Sequence, residues 1–258
     1  MANQKTYHIE WKLDALIILD KDSINTNLIL EKLGNLAFSQ TRGDDYMPGL
    51  YEIDFPQITE GNYAGIDIPC LIYSETKSSE TIMIIGEAPW REKNYIEKDK
   101  CCSLGAPYAI GFIDYPDRCW IYKQIIKRLV DTGYNIYLTD AYKLWTKKKI
   151  AKESEYRATY KEMLINEIRS ERPCKVITFG KVAKAMVQQV AKNLKDANII
   201  SKIEIFNILH PSQRVTCLWE KVLKGKKYPC DVPNYVVDFV TNKKDSNDMY
   251  DIINNKKR

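Results

Sequence analysis

The sequence of 258 residues contains only two histidines, His8 and His210. Any imidazole chemistry in this protein must therefore come from one of these two side chains. The sequence also lacks an unbroken apolar stretch of about 18 residues, which excludes a membrane-spanning helix of ordinary length. The segment 1–12 lacks the apolar core of a signal peptide, so we expect a cytoplasmic protein with no membrane partner.

Cysteine is present but unpatterned. There are seven cysteines, an odd number, and no Cys-x-x-Cys pair occurs among them. Cys101 and Cys102 are adjacent, which disfavours both a shared disulfide and a tetrahedral metal site. With no export signal, we expect reduced thiols, no metal and no bound cofactor.

The charge balance is mildly basic: 39 Lys and Arg against 34 Asp and Glu give a net charge of +5. This balance permits a nucleic-acid partner without requiring one. Two lysine runs, 143–152 and 221–227, concentrate the positive charge. Such runs usually form a solvated face, and the alternative is a surface for a phosphate backbone.

Continuous apolar runs alternate with helical patterns in the second half of the chain. The runs lie at 81–86, 135–140, 175–180 and 202–210, and the helical patterns at 116–133, 154–173, 181–194 and 211–225. Apolar strands that alternate with helices indicate a parallel sheet covered on both faces. We therefore predict an α/β fold, a three-layer α/β/α sandwich with a central, mainly parallel four-stranded sheet.

The rest of the chain is less regular. We interpret 1–75 as an N-terminal extension that wraps the core, with a short helix at 23–36. The core domain is expected at 76–240. The segment 241–258 is expected to form a polar, frayed tail.

Polar side chains follow each predicted strand. They are Glu87 after the first, Asp140 after the second, Lys181 after the third, and His210 and Ser212 after the fourth. Ligands of open parallel sheets bind at the carboxyl ends of the strands. We therefore expect these side chains to converge at one edge of the sheet.

Five motifs resemble those of the uracil-DNA glycosylase superfamily, in the branch whose first motif is Gly-Glu-x-Pro. They are IIGEAP at 84–89, GAPYAIGF at 105–112, YLTDAYK at 137–143, VITFGKVA at 176–183 and HPS at 210–212. Each motif alone is a weak signal, but five in the family's order are more specific. The resemblance covers about 81–225. It implies a monomeric, monofunctional DNA glycosylase, which flips a base out of DNA and hydrolyses its glycosidic bond to leave an abasic site.

The resemblance also implies roles for individual residues. Glu87 would orient a water and stabilise the developing positive charge on the sugar, and His210 would donate a hydrogen bond to the base carbonyl. Tyr108 would stack on the extruded base, while Asp140 and Ala88 would recognise it. DNA-binding roles fall to Ser212, Lys181, Lys143, Gln213, Arg214 and Trp90.

Ordinary structural roles are the alternative for each residue. Glu87 could cap a helix, His210 could be a hydrogen-bonded core residue, and Tyr108 could be a packed aromatic. Asp140 could simply be a turn residue at the end of a strand. The convergence of all four at one edge favours the functional interpretation.

The chain departs from the family's pattern in its cysteines and at Trp90. The iron–sulfur branch has two cysteines near its N-terminus, whereas this chain has none before Cys70. A lysine-rich segment, 143–149, follows the base-reading strand where another cysteine is expected. We therefore predict that the cluster is absent. Trp90 replaces a glycine, and its ring could reshape the base pocket, wedge into the duplex or simply pack.

Asp140 stands where the family has an asparagine that pairs with uracil. An ionised carboxylate only accepts hydrogen bonds, so it would repel the O4 of uracil but accept from the N4 amino group of cytosine. This departure predicts that the excised base is of the cytosine type. Cytosine and a C5-modified cytosine of invading viral DNA both fit this description. A protonated Asp140 would mimic asparagine and restore uracil repair.

Two further alternatives stay open from the sequence. One is a catalytically silent module on the same fold that binds nucleic acid or nucleotides. The other is a metal-dependent hydrolase that uses Glu87, Asp140 and His210 as ligands.

Overall fold

The structure is a computed structural model that describes residues 7–15, 46–49, 64–76, 80–89, 102–108, 120–146, 157–195, 203–212, 215–242 and 246–255. The described residues form ten strands and six α-helices. The strands are β1 His8–Trp11, β2 Tyr46–Gly49, β3 Ala64–Asp67, β4 Cys70–Tyr73, β5 Thr81–Gly86, β6 Cys102–Gly105, β7 Asn135–Asp140, β8 Trp145–Thr146, β9 Lys175–Phe179 and β10 Glu204–Ile208. The helices are α1 Trp120–Asp131, α2 Arg157–Glu171, α3 Gly180–Lys195, α4 Thr216–Leu223, α5 Val232–Thr241 and α6 Met249–Asn255.

The central sheet has six strands in the order β1-β4-β7-β5-β9-β10. Strands β7, β5, β9 and β10 run parallel, and they are the four apolar runs expected from the sequence. The prediction of a mainly parallel α/β sheet is therefore confirmed, but the predicted number of four strands is wrong. Strands β4 and β1 extend the sheet beyond β7 in antiparallel orientation. Both are only four residues long, too short for their pattern to mark them as strands.

Helices cover both faces of the central sheet, as the alternation along β5 illustrates. Ile82 and Ile84 pack into a core cluster that includes residues of α1, α4, α5 and α6. Met83 and Ile85 point to the opposite face and pack with residues of α2 and α3. Because both faces are buried, strand β5 is apolar throughout.

A second, smaller sheet has the order β2-β6-β3-β8. Strand β6 ends at Gly105, three residues before Tyr108, and β8 begins shortly after the end of β7. Strands β1, β2, β3 and β4, all within the predicted extension, thus contribute to the two sheets. The predicted helix at 23–36 lies outside the described residues.

The polar tail is ordered where the structure describes it. Helix α6 buries Met249 and Ile253 in the same core cluster as α1. The side-chain amide of Asn207 donates to Asp248 at 3.0 Å, which ties α6 to the end strand β10. The expectation of a frayed tail is therefore wrong for residues 246–255. Across the described segments, none of the helices is long and apolar enough to cross a membrane.

Candidate functional site

The carboxyl ends of the four parallel strands lie at one edge of the central sheet. The pairing register places Gly86, the last residue of β5, beside Asp140, the last residue of β7. Strands β9 and β10 pair in parallel on the other side of β5 and lead to Gly180 and His210. The topology therefore brings the segments that carry Glu87, Asp140 and His210 to the same edge.

Gly86 provides the surface on which two site residues meet. A Cβ atom at this position would lie 2.3 Å from Oδ1 of Asp140 and 2.7 Å from the hydroxyl of Tyr108. Both distances are far below van der Waals contact, so a larger residue at this position would force Asp140 or Tyr108 to move. Asp140 is 7% exposed. Its carboxylate and the Tyr108 hydroxyl therefore share a confined space over the end of β5.

Tyr108 has an unusual backbone conformation, with φ at +58°. Residues other than glycine rarely adopt this left-handed backbone conformation, and those that do are concentrated at functional sites. Its ring stacks on Tyr122, with ring centroids 4.6 Å apart and an angle of 25° between the planes. One face of Tyr108 is thus covered by Tyr122, so a base could stack only on the opposite face.

His210 is held at two points. Its carbonyl oxygen accepts a hydrogen bond from the buried Trp219 indole at 3.1 Å. Its ring lies with Nε2 2.8 Å and Nδ1 3.1 Å from the hydroxyl of Tyr122. A Cβ at Gly180 would come within 3.4 Å of Cδ2 of the same ring, so the first residue of α3 lies against it. His210 itself is half-buried at the edge of the sheet.

Tyr122 is a site residue that the sequence did not reveal. It lies in the first turn of α1, on the face that packs against the sheet, and is 7% exposed. In the sequence it has the pattern of an ordinary core aromatic. Nothing distinguishes its hydroxyl from that of any other buried tyrosine until the fold brings it to His210.

The backbone around Glu87 continues the pairing of β5 with β7 beyond the two strands. The carbonyl of Gly86 accepts from the N–H of Ala141, and that of Glu87 accepts from the N–H of Tyr142, both at 3.0 Å. The Glu87 side chain is partly exposed at this point. Ala88 is partly buried and packs against the core cluster that includes α2 and α3.

Lys143 does not lie on the surface, contrary to its predicted DNA-binding role. Its ammonium group donates to Oε2 of Glu167 at 2.6 Å and also to Thr139, and its side chain is 1% exposed. The other carboxylate oxygen of Glu167 accepts from Thr139 at 2.8 Å and from Tyr137 at 3.2 Å. Burial and the Glu167 carboxylate raise the pKa of Tyr137, which keeps it a donor. A buried, paired lysine is not available to a phosphate.

Of the other five predicted DNA-binding residues, the structure describes two, Lys181 and Ser212. Lys181 is exposed in the first turn of α3, with its ammonium group 5.9 Å from the centre of the Tyr250 ring. Ser212 is half-buried, and its N–H donates to the carbonyl of His210 at 2.8 Å. Gln213, Arg214 and Trp90 lie outside the described residues.

The second lysine run lies on the last turn of α4 and in the segment after it. Its lysines, Lys221, Lys224, Lys226 and Lys227, are exposed. Helix α4 begins shortly after His210 and is about 12 Å long at 1.5 Å per residue. These lysines therefore lie at and beyond the end of α4 that is more distant from His210 along the chain.

The described part of the chain contains no group of three or more His, Cys, Asp or Glu side chains arranged to hold a metal ion. No family model matches the sequence, and no curated protein matches it either. The resemblance to the uracil-DNA glycosylase superfamily therefore rests on the five sequence motifs alone and stays a prediction.

Proposed function

We propose that this protein is a DNA glycosylase that flips a pyrimidine out of DNA and hydrolyses its glycosidic bond. The observation that carries the proposal is the meeting of Asp140 and Tyr108 over Gly86, at the edge where Glu87 and His210 also lie. These residues come from separate motifs, and each has a side chain suited to one step of the reaction. A three-layer α/β/α arrangement of the family type is part of the same proposal.

The reaction follows from the chemistry of the four side chains. The bond between C1′ of the sugar and N1 of the base breaks, and its electron pair leaves with the base. His210 donates to the base O2, where negative charge accumulates. The Glu87 carboxylate stabilises the positive sugar and accepts a proton from the water whose oxygen bonds to C1′. That proton then passes to the released base, so the products are a neutral free base and an abasic site.

The base proposed is cytosine or a cytosine modified at C5. The Asp140 carboxylate is buried and close to Tyr108, where an inserted base would have its edge within reach. Such a carboxylate accepts from the N4 amino group and stabilises a proton at N3, which makes cytosine a better leaving group. Because the cell's own DNA contains unmodified cytosine throughout, a modification found in foreign DNA would allow the enzyme to distinguish foreign DNA from its own. A role in defence against viral DNA follows from this argument.

The phosphate backbone would be held at the same edge. Helix α3 begins beside His210, and its first turn offers backbone N–H groups as well as the exposed Lys181. Ser212 lies two residues beyond His210. These groups contact DNA irrespective of sequence and position the target nucleotide.

The test is a panel of oligonucleotides that contain uracil, cytosine, 5-hydroxymethylcytosine or glycosylated cytosine, in single- and double-stranded form. Alkali converts any abasic site into a strand break. We expect breaks at a modified cytosine. Breaks at uracil alone would support the repair alternative, and binding without breaks would support the silent module. Activity abolished by a chelator would instead support the metal-dependent alternative.

Variants of the two catalytic residues complete the test. Glu87→Gln and His210→Ala should each lower the excision rate by about 100-fold or more, the usual contribution of a positioned acid or base. Glu80→Gln is the matched control, because Glu80 is exposed just before the opposite end of the same strand β5. An unchanged rate in both catalytic variants would refute the site assignment.

A further inference from the structure

The hydroxyl of Tyr122 lies against the ring of His210, close to both of its nitrogens. Its distances to the two ring nitrogens are 2.8 and 3.1 Å, and the two ring planes are 80° apart. We propose that Tyr122 is a positioning residue that sets the orientation of His210. The inference rests on the proposed function and adds to it the residue that prepares the hydrogen-bond donor.

The chemistry of the two groups explains how this works. A phenol hydroxyl can donate to a bare imidazole nitrogen or accept from an N–H group. A neutral imidazole carries its proton on one nitrogen only, and the partner of the other nitrogen determines which. The Tyr122 hydroxyl is near both nitrogens, so it can contact either tautomer and holds the His210 ring in one orientation.

Tyr122 is itself fixed by its surroundings. Its ring is buried, stacks on Tyr108 at 4.6 Å and meets the edge of Phe179 at 5.1 Å, with an interplanar angle of 85°. A group that orients a catalytic residue must be held in this way, because small displacements reduce the rate steeply. Tyr122 therefore contacts both His210 and Tyr108.

Tyr122→Phe is the variant that tests this role, because it keeps both ring contacts and removes only the hydroxyl. We expect the single-turnover excision rate to fall roughly tenfold, with DNA affinity unchanged, as for the loss of one hydrogen bond. In a His210→Ala background the same substitution should have no further effect. Tyr134→Phe is the control, since Tyr134 lies just beyond the other end of α1. Equal losses in both backgrounds would overturn the proposal.

A measurement that does not depend on catalysis separates this inference from the proposed function. The chain has two histidines, so ¹⁵N NMR of the imidazoles yields two sets of signals, and His8 on β1 serves as the internal reference. We expect the nitrogen signals of His210 to shift in Tyr122→Phe, because the ring loses its contact with the hydroxyl, while those of His8 stay constant. Unchanged His210 signals would refute the role of Tyr122. A wild-type protein that excises no base would refute the glycosylase alone.

Discussion

Asp140 lies so close to Gly86 that a methyl group on that glycine would stand 2.3 Å from its carboxylate oxygen. This contact joins the ends of two neighbouring strands, β5 and β7, in a space that also contains the Tyr108 hydroxyl. The position of the Asp140 carboxylate therefore depends on the absence of a side chain at Gly86 on the strand beside it.

Gly86→Ala should displace Asp140 or Tyr108 and lower the excision rate by at least about tenfold, since a shift of 1 Å can cost roughly 100-fold. Overpacking should also lower the free energy of unfolding by about 1–3 kcal/mol. Gly225→Ala is the control: its φ is +92°, but nothing lies within 4 Å of an added Cβ. It should lose stability without losing activity. Single-turnover kinetics and denaturant unfolding measure both effects, and equal kinetic losses would contradict this account.

Asp140→Asn should shift the base preference from a cytosine type toward uracil. An amide donates as well as accepts, so it can pair with both O4 and N3–H of uracil, which a carboxylate cannot. A change of about 1–3 kcal/mol in discrimination is expected for one bidentate contact. Competition between the two oligonucleotides in one reaction measures the ratio directly. A preference that stays the same would show that Asp140 does not read the base.

Lys143→Met should lower the free energy of unfolding by about 3–5 kcal/mol, because it leaves the buried Glu167 carboxylate without its cation. The double variant Lys143→Met with Glu167→Leu should recover part of this loss, although Tyr137 and Thr139 then lose their acceptor. Chemical denaturation measures each step. A loss below about 1 kcal/mol in the single variant would indicate that the lysine is not buried in solution.

Lys181→Met should weaken DNA binding and reduce the slope of log K against log salt by about one, the signature of one lost phosphate contact. Lys224→Met is the matched control, because this exposed lysine follows the far end of α4. Fluorescence anisotropy across a salt series measures both slopes. If Lys224 changes the slope and Lys181 does not, DNA lies on a different face.

The thiol reactivity of Cys70, Cys174, Cys217 and Cys230 should follow their exposure to solvent. Cys217 and Cys230 are exposed and should react quickly with a maleimide. Burial raises the pKa of Cys70 and that of Cys174, so their reactive thiolate forms are scarce at neutral pH. Cys70 is also fully buried and should react only on unfolding. Peptide mass spectrometry after timed labelling tests this order, and rapid labelling of Cys70 would contradict the described core.

The parallel part of the sheet was predictable because its strands are buried on both faces. Runs such as 81–86 and 135–140 are apolar throughout, and helical patterns between them require parallel connections. Strands β1 and β4 were not predictable, since each is short and gains its pairing from residues distant in the sequence. The buried residues of α6 were missed for a related reason: two apolar side chains in a polar tail are enough to anchor it.

The sequence by itself determined which polar side chains follow the parallel strands, and therefore which residues share one edge of the sheet. This was possible because the alternation of apolar runs and helices predicts both the direction of the strands and the order of their connections. Only the tertiary structure decided what each side chain does there. Lys143 turns into the core because Glu167 offers a buried carboxylate, and Tyr122 enters the site because α1 places its hydroxyl against His210. Both outcomes depend on contacts between segments that are distant in the sequence, and a local sequence pattern does not predict such contacts.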